Sequence, residues 1–164
     1  MKIIHVAGFS NSGKTTFIQE LIPALAMHGK VGVMKHLGHH LYTTGESEIQ
    51  KDTSRFFDAH AHFVAGIDAE KTVITTPCNS LAGITSLYSD AGVEYTIIEG
   101  FKTLPCQKIW LGTREQAEEI GIAPYCLLWN PTVDTVVQNL DAFDTWNPAL
   151  FDGYVTNNSI DKNK

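Results

Sequence analysis

The sequence predicts an α/β fold, a mostly parallel sheet with helices on both faces in three layers, and three observations lead there. Short apolar runs bounded by turn residues alternate with longer segments of helical spacing. Several of the runs are apolar almost throughout, as strands covered on both faces must be. A glycine-rich stretch, GFSNSGKTT, joins the first run to the first helical segment.

Taken in order, the expected strands are Lys2 to Ala7, Val31 to Lys35, His62 to Ala65, Val73 to Thr75, Tyr95 to Ile98, Lys108 to Leu111 and Tyr125 to Trp129. Between the first two, Thr15 to His28 carries Phe17, Leu21 and Leu25 with Ile18 and Ile22 beside them, a single apolar stripe along a helix. Gly29 is expected to end it. Pro23 removes a backbone donor inside that helix and predicts a kink, unless the loss faces solvent. Residues 37–50 show no periodicity and read as a long loop of the kind that is functional or mobile. Helices follow from Lys51 to about His60, from Asn79 to Ala91 and from Glu115 to Ile120. Beyond Pro131, Val133, Val136, Val137, Leu140 and Phe143 are compatible with a helix until Asn147-Pro148 interrupts. A single domain is expected over 1–155, with a polar tail over 156–164.

The glycine-rich stretch fits G-x-x-x-x-G-K-[ST], with Gly8, Gly13, Lys14 and Thr15 at the fixed positions between strand and helix. Glycines there let the backbone curl so that the N–H groups of the loop, Ser10, Asn11, Ser12 and Thr16 among them, turn toward an anion. The helix N-terminus adds partial positive charge, and Lys14 brings an ammonium to the terminal phosphates. The Thr15 hydroxyl then becomes a magnesium ligand. The pattern thus predicts a P-loop NTPase fold binding a nucleoside triphosphate with Mg2+.

Such a site needs an acidic residue at the carboxyl ends of neighbouring strands. Glu99, closing the run Tyr95-Thr96-Ile97-Ile98, and Asp52, opening the helix after the long loop, are both candidates to hold the metal or orient a water. Glu99 also reads as a plain surface charge or helix cap, and Asp52 as a charge complementing a helix dipole. Lys35 and His36 follow the second strand, Gly100 and Lys102 follow Glu99, and Arg55 lies one turn from Asp52. These groups could grip the nucleotide or a second anionic substrate. His36, His39 and His40 lie without a cysteine or carboxylate pair at structural-zinc spacing, so substrate hydrogen bonding is preferred to a metal there.

Composition narrows the partners. The net charge of -6 opposes loose attraction to DNA or RNA. No run is long enough to span a bilayer and the N-terminus lacks the pattern of a secretory signal, so a cytoplasmic address is expected. Cys78, Cys106 and Cys126 are odd in number and widely spaced, which favours free thiols over a disulfide framework.

The four ordered segments GFSNSGKTTFIQELIPAL, VGVMKHLGHH, KDTSRFFDAHA and TIIEGFKTLPCQKIWL together resemble the MobB family, the molybdopterin-guanine dinucleotide biosynthesis protein B. The resemblance spans residues 1 to 112. It implies a P-loop GTPase-like protein, generally dimeric, that binds GTP and Mg2+ and assists attachment of GMP to molybdopterin by a MobA-type guanylyltransferase. It assigns Gly8, Gly13, Lys14 and Thr15 to the phosphates and magnesium, and matches Lys35 and His36, Asp52 and Arg55, and Glu99 to Lys102 to family motifs. Tyr125-Cys126-Leu127-Leu128-Trp129-Asn130-Pro131 departs from it, because family members commonly end that strand in Asp. No N-K-x-D is present, so guanine selection rests on the resemblance alone. Slow hydrolysis is expected, since neither an arginine finger nor a catalytic glutamine is marked. Two other readings remain open: an ATP-dependent kinase or ligase of the dethiobiotin-synthetase kind, and a nucleotide-gated binding module without turnover.

Overall fold

The computed structural model describes residues 1–37, 55–56, 58–67, 69–76, 80–147 and 149–151. Asp52, His39, His40, Cys78 and the expected tail therefore lie outside the described residues, as do half of the helix expected over 51–60 and all but the first residue of the loop expected over 37–50. The elements run β1 (Lys2–Gly8), α1 (Lys14–Ala26), β2 (Val31–Lys35), β3 (Val64–Ile67), β4 (Thr72–Thr75), α2 (Leu81–Asp90), β5 (Tyr95–Glu99), β6 (Lys108–Leu111), α3 (Arg114–Glu119), β7 (Cys126–Trp129) and α4 (Val133–Gln138).

Five strands form one all-parallel sheet in the order β2-β5-β1-β6-β7. β1 is central, and from Ile3 to Gly8 it is apolar apart from His5, because residues on both of its faces are covered. Ile4 and Val6 pack with Ile18, Leu21 and Leu25 of α1 and Val136 of α4 on one face. On the other, Ile3 joins Leu81 of α2, and Ala7 joins Ala117 of α3. Three layers follow from the period-two alternation of one strand.

Two expected strands do not enter this sheet. β3 and β4 pair antiparallel with each other as a separate two-stranded ribbon, in which Val64 is buried while Ile67, Val73 and Ile74 are exposed. Their apolar residues gave the right element type, but strand pairing is a long-range choice that local pattern does not encode.

α1 runs through Pro23 without interruption. Pro23 and Gln19, whose carbonyl loses its helical donor, are both on the exposed side, so that group is open to solvent. Gly29 is not the residue at which the helix stops. The helix ends at Ala26, and a Cβ on Gly29 would collide with the Glu94 carboxylate. α3 begins with a capping box, the Thr113 side chain accepting from Gln116 N–H and the Gln116 side chain accepting from Thr113 N–H.

Candidate functional site

The chain leaves β1 in one direction to build β2 and β5 and in the other to build β6 and β7. The carboxyl end of β1 is therefore the point where strand order reverses, and ligands in open α/β sheets collect there. Residues 8–16 occupy that point. Gly8 is buried, and a Cβ on it would lie 2.5 Å from the Leu111 carbonyl oxygen and 2.5 Å from Ser12 Oγ, so only glycine fits. Asn11 at φ 62 and Gly13 at φ 83 are left-handed, which curls the loop back toward the helix. Gly13 N-caps α1 without any side-chain cap, and the first turn contains no acidic residue. Among the described residues no side chain caps the first N–H groups of this helix, and N–H groups at a helix start attract anions.

Register assembles the rest. Lys35 of β2 and Val6 of β1 both pair with Glu99 of β5, so the three strand ends lie side by side. Glu99 is 8% exposed, and its Oε1 accepts from the Thr15 hydroxyl at 3.3 Å. Lys35 Nζ lies 3.1 Å from the same Oε1 and 3.4 Å from Thr15 Oγ1. Lys14 Nζ folds back, donating to the Phe9 carbonyl at 2.5 Å and toward Ser12 Oγ at 3.4 Å. Lys102 Nζ stands 4.8 Å over the Phe9 ring.

The ammoniums of Lys14, Lys35 and Lys102 thus gather at this corner, with that of Lys35 in contact with the Glu99 carboxylate. Burial pushes the Lys14 pKa below its ordinary value; Glu99 opposes that shift, and Lys102 and Lys35 add to it. The residual positive charge is a local anion trap in a protein of net negative charge.

Thr15 and Glu99 supply hard oxygen donors close together, and a cationic group already bridges them. That donor set suits magnesium, which takes few protein ligands and completes its shell with water and phosphate. Among the described residues no group of three or more His, Cys, Asp or Glu is placed to hold a metal ion.

Of the residues expected from sequence, Gly8, Ser12, Gly13, Lys14, Thr15, Lys35, Glu99 and Lys102 meet at this corner. Ser10, Asn11 and Thr16 are exposed on the loop and the first helical turn. His36 packs its ring 4.6 Å from that of Phe101, and its Cβ lies so near Gly100 that a Cβ there would come within 2.8 Å. Gly100 is also at φ 91, which reserves the position for glycine twice over. Arg55 is exposed, and its expected partner Asp52 lies outside the described residues.

Sequence reasoning missed the supports beneath the corner. His5 is fully buried, and its pKa is lowered to about 3 by burial and then by nearby Lys108, against a hydrogen bond to Gly100 that raises it. The neutral ring must donate from Nε2 to the Gly100 carbonyl at 2.6 Å, which leaves Nδ1 as the acceptor for the Cys106 thiol at 3.5 Å. Burial pushes that thiol up to about 12, so it keeps its proton. Lys108, also fully buried, donates to the carbonyls of Lys102 (2.9 Å) and Leu104 (2.7 Å), with the Tyr125 ring 5.2 Å away. The Glu99–Lys102 turn is therefore pinned from β1 and from β6. A lone polar residue within each apolar strand was the available signal.

At the far side, Asn130 accepts from Gly112 N–H and donates to the Gly112 carbonyl, both at 2.9 Å. Its amide is spent on holding the β6 and β7 ends together.

An all-parallel sheet whose central strand runs into a glycine-lysine loop at a helix N-terminus defines a P-loop NTPase-like α/β protein. Within that class, residues 3–125 match the family model for MobB, molybdopterin guanine dinucleotide synthesis protein B, and the chain belongs to this family. It is 36% identical over 105 residues to a putative molybdopterin-guanine dinucleotide biosynthesis adapter protein of Methanocaldococcus jannaschii, covering 62% of this chain and 42% of that one. It is 37% identical over 112 residues to a probable adapter protein of the same description from Bacillus subtilis, covering 65% and 62%. The chain thus spans less than two thirds of the length of either relative. The crystal structure of Bacillus subtilis MobB superposes with a TM-score of 0.62 at 26% identity, covering 85% of this chain and 98% of that one.

Proposed function

We propose that this protein is a GTP-binding accessory factor with weak, magnesium-dependent GTPase activity that assists conversion of molybdopterin to molybdopterin guanine dinucleotide. The observation that carries the reading is the meeting of Lys14, Thr15, Glu99 and Lys35 at the end of β1, within a chain of the MobB family. The adapter description of its relatives supports the pathway. In this reading the loop N–H groups and Lys14 bind the phosphates, and Glu99 with Thr15 holds the ion. Bound magnesium would neutralise charge on the β and γ oxygens. Gly8, Gly13 and the pinned Gly100 fix these groups in place before the nucleotide arrives, which is where most electrostatic stabilisation originates.

A second, anionic substrate would be gripped by Lys35, Lys102 and Arg55; an open, largely apolar groove of about 230 Å³ lies beside β2. It meets the nucleotide corner at Lys35. Molybdopterin, the MobA-type guanylyltransferase, a homodimeric state, a cytoplasmic address and the choice of guanine belong to the same proposal. No helix among the described residues is long and apolar enough to cross a membrane, which is compatible with it.

The test is nucleotide affinity and phosphate release, measured for GTP and ATP with and without molybdopterin and the guanylyltransferase. GTP preference with slow release, quickened in the complete system, is the expected result. Release that depends on ATP and a small substrate alone would replace this reading with the kinase or ligase one. Tight binding without turnover would leave only a nucleotide-gated module. A Lys14→Ala chain with undiminished triphosphate affinity would refute all three.

A further inference from the structure

We propose that Lys35 is an exchangeable counter-ion, holding the Thr15–Glu99 oxygens in the nucleotide-free protein and yielding them when a divalent cation enters with the nucleotide. This rests on the functional reading above and deepens it. Glu99 is nearly buried, and a carboxylate so placed without a counter-charge is costly. Lys35 supplies that charge: its Nζ is 3.1 Å from Glu99 Oε1 and 3.4 Å from Thr15 Oγ1, the two oxygens suited to magnesium. Lys14 also acts on Glu99 electrostatically, but its ammonium donates to the Phe9 carbonyl, whereas that of Lys35 touches the carboxylate itself.

Both cations cannot occupy the place together. A divalent ion sits about 2.1 Å from its oxygen ligands, which would leave two like charges within about 4 Å of each other. Lys35 is the group able to leave. It is the last residue of edge strand β2, its side chain is 47% exposed, and its flexible stem can carry the ammonium into solvent or onto an arriving phosphate. Metal binding without nucleotide is then opposed by Lys35, whereas a bound nucleotide offers that ammonium a new acceptor. Metal and nucleotide consequently assist one another through a single side chain.

The experiment uses Mn2+ as the probe, titrated by electron paramagnetic resonance against the nucleotide-free wild type and its Lys35→Met and Lys102→Met variants, with thermal melts to verify folding. Mn2+ affinity should rise roughly two- to fivefold in Lys35→Met, the range that loss of one competing ion pair produces. It should change less than twofold in Lys102→Met, which removes a neighbouring charge without freeing Glu99. Unchanged affinity in Lys35→Met, or an equal rise in both variants, overturns the exchange. GTP binding by the wild type is measured alongside. Its absence rejects the functional reading, while its presence with unchanged Mn2+ affinity rejects the exchange alone.

Discussion

Acidification should destabilise this protein through His5, by an amount that the structure sets. The folded pKa is about 3, against 6.5 for the free side chain. Between those values the unfolded chain takes up a proton that the folded chain refuses, so stability present above pH 6.5 is lost as pH falls toward 3. One pH unit is worth roughly 1.4 kcal/mol, so the loss between pH 7 and pH 5 is about 2 kcal/mol. The perturbation is His5→Gln, whose amide can still donate to the Gly100 carbonyl but cannot titrate. Urea unfolding of both proteins at pH 7 and pH 5 gives a double difference in which the other histidines cancel. At pH 7 the variant should be less stable by about 1 to 3 kcal/mol, the cost of disturbing a buried hydrogen bond. By pH 5 that gap should narrow by about 2 kcal/mol. A gap that stays constant would mean that His5 is protonated in the folded protein or reaches solvent, and the proposed tautomer and its hold on Gly100 would be refuted.

Gly8→Ala places a methyl 2.5 Å from the Leu111 carbonyl oxygen, a backbone atom that cannot rotate aside. A destabilisation of about 1 to 3 kcal/mol is expected in thermal melts, with nucleotide binding weakened as the loop is forced open. Lys108→Met removes a buried charge but leaves the Lys102 and Leu104 carbonyls without their donor. A loss of about 1 to 3 kcal/mol is expected, with faster amide exchange over 100–106; unchanged exchange there would show that Lys108 does not hold the turn. Cys106, buried and pushed up to about 12, should resist iodoacetamide at pH 8 in the native protein and react once urea unfolds it. Labelling mapped by peptide mass would contradict this placement if Cys106 reacted under native conditions.

Local pattern was sufficient for the strands of the main sheet. β2 and β6 have the bounds that sequence gives them, and β1 and β5 are one residue longer, because short, mainly apolar runs bounded by turn residues announce strands. The phosphate loop was equally legible, since its glycines answer to backbone conformation and close approach, which are local demands. Pairing was not. β3 and β4 read like the other strands, yet they pair only with each other.

What the sequence by itself determined is the chemistry available here: a curled glycine loop, one lysine and one threonine at a helix start, and a carboxylate closing a buried strand. Tertiary structure alone decided which of these groups meet. The register of β2 and β1 against β5 brings Lys35 to Glu99 across 64 residues of chain and sets Thr15 within reach of both. It also turned two polar residues, His5 inside β1 and Lys108 at the start of β6, into the buried posts under the Glu99–Lys102 turn. The physical reason is that conformational preference acts between neighbours in sequence. Desolvation and charge pairing act between neighbours in space, and those exist only once the sheet has closed.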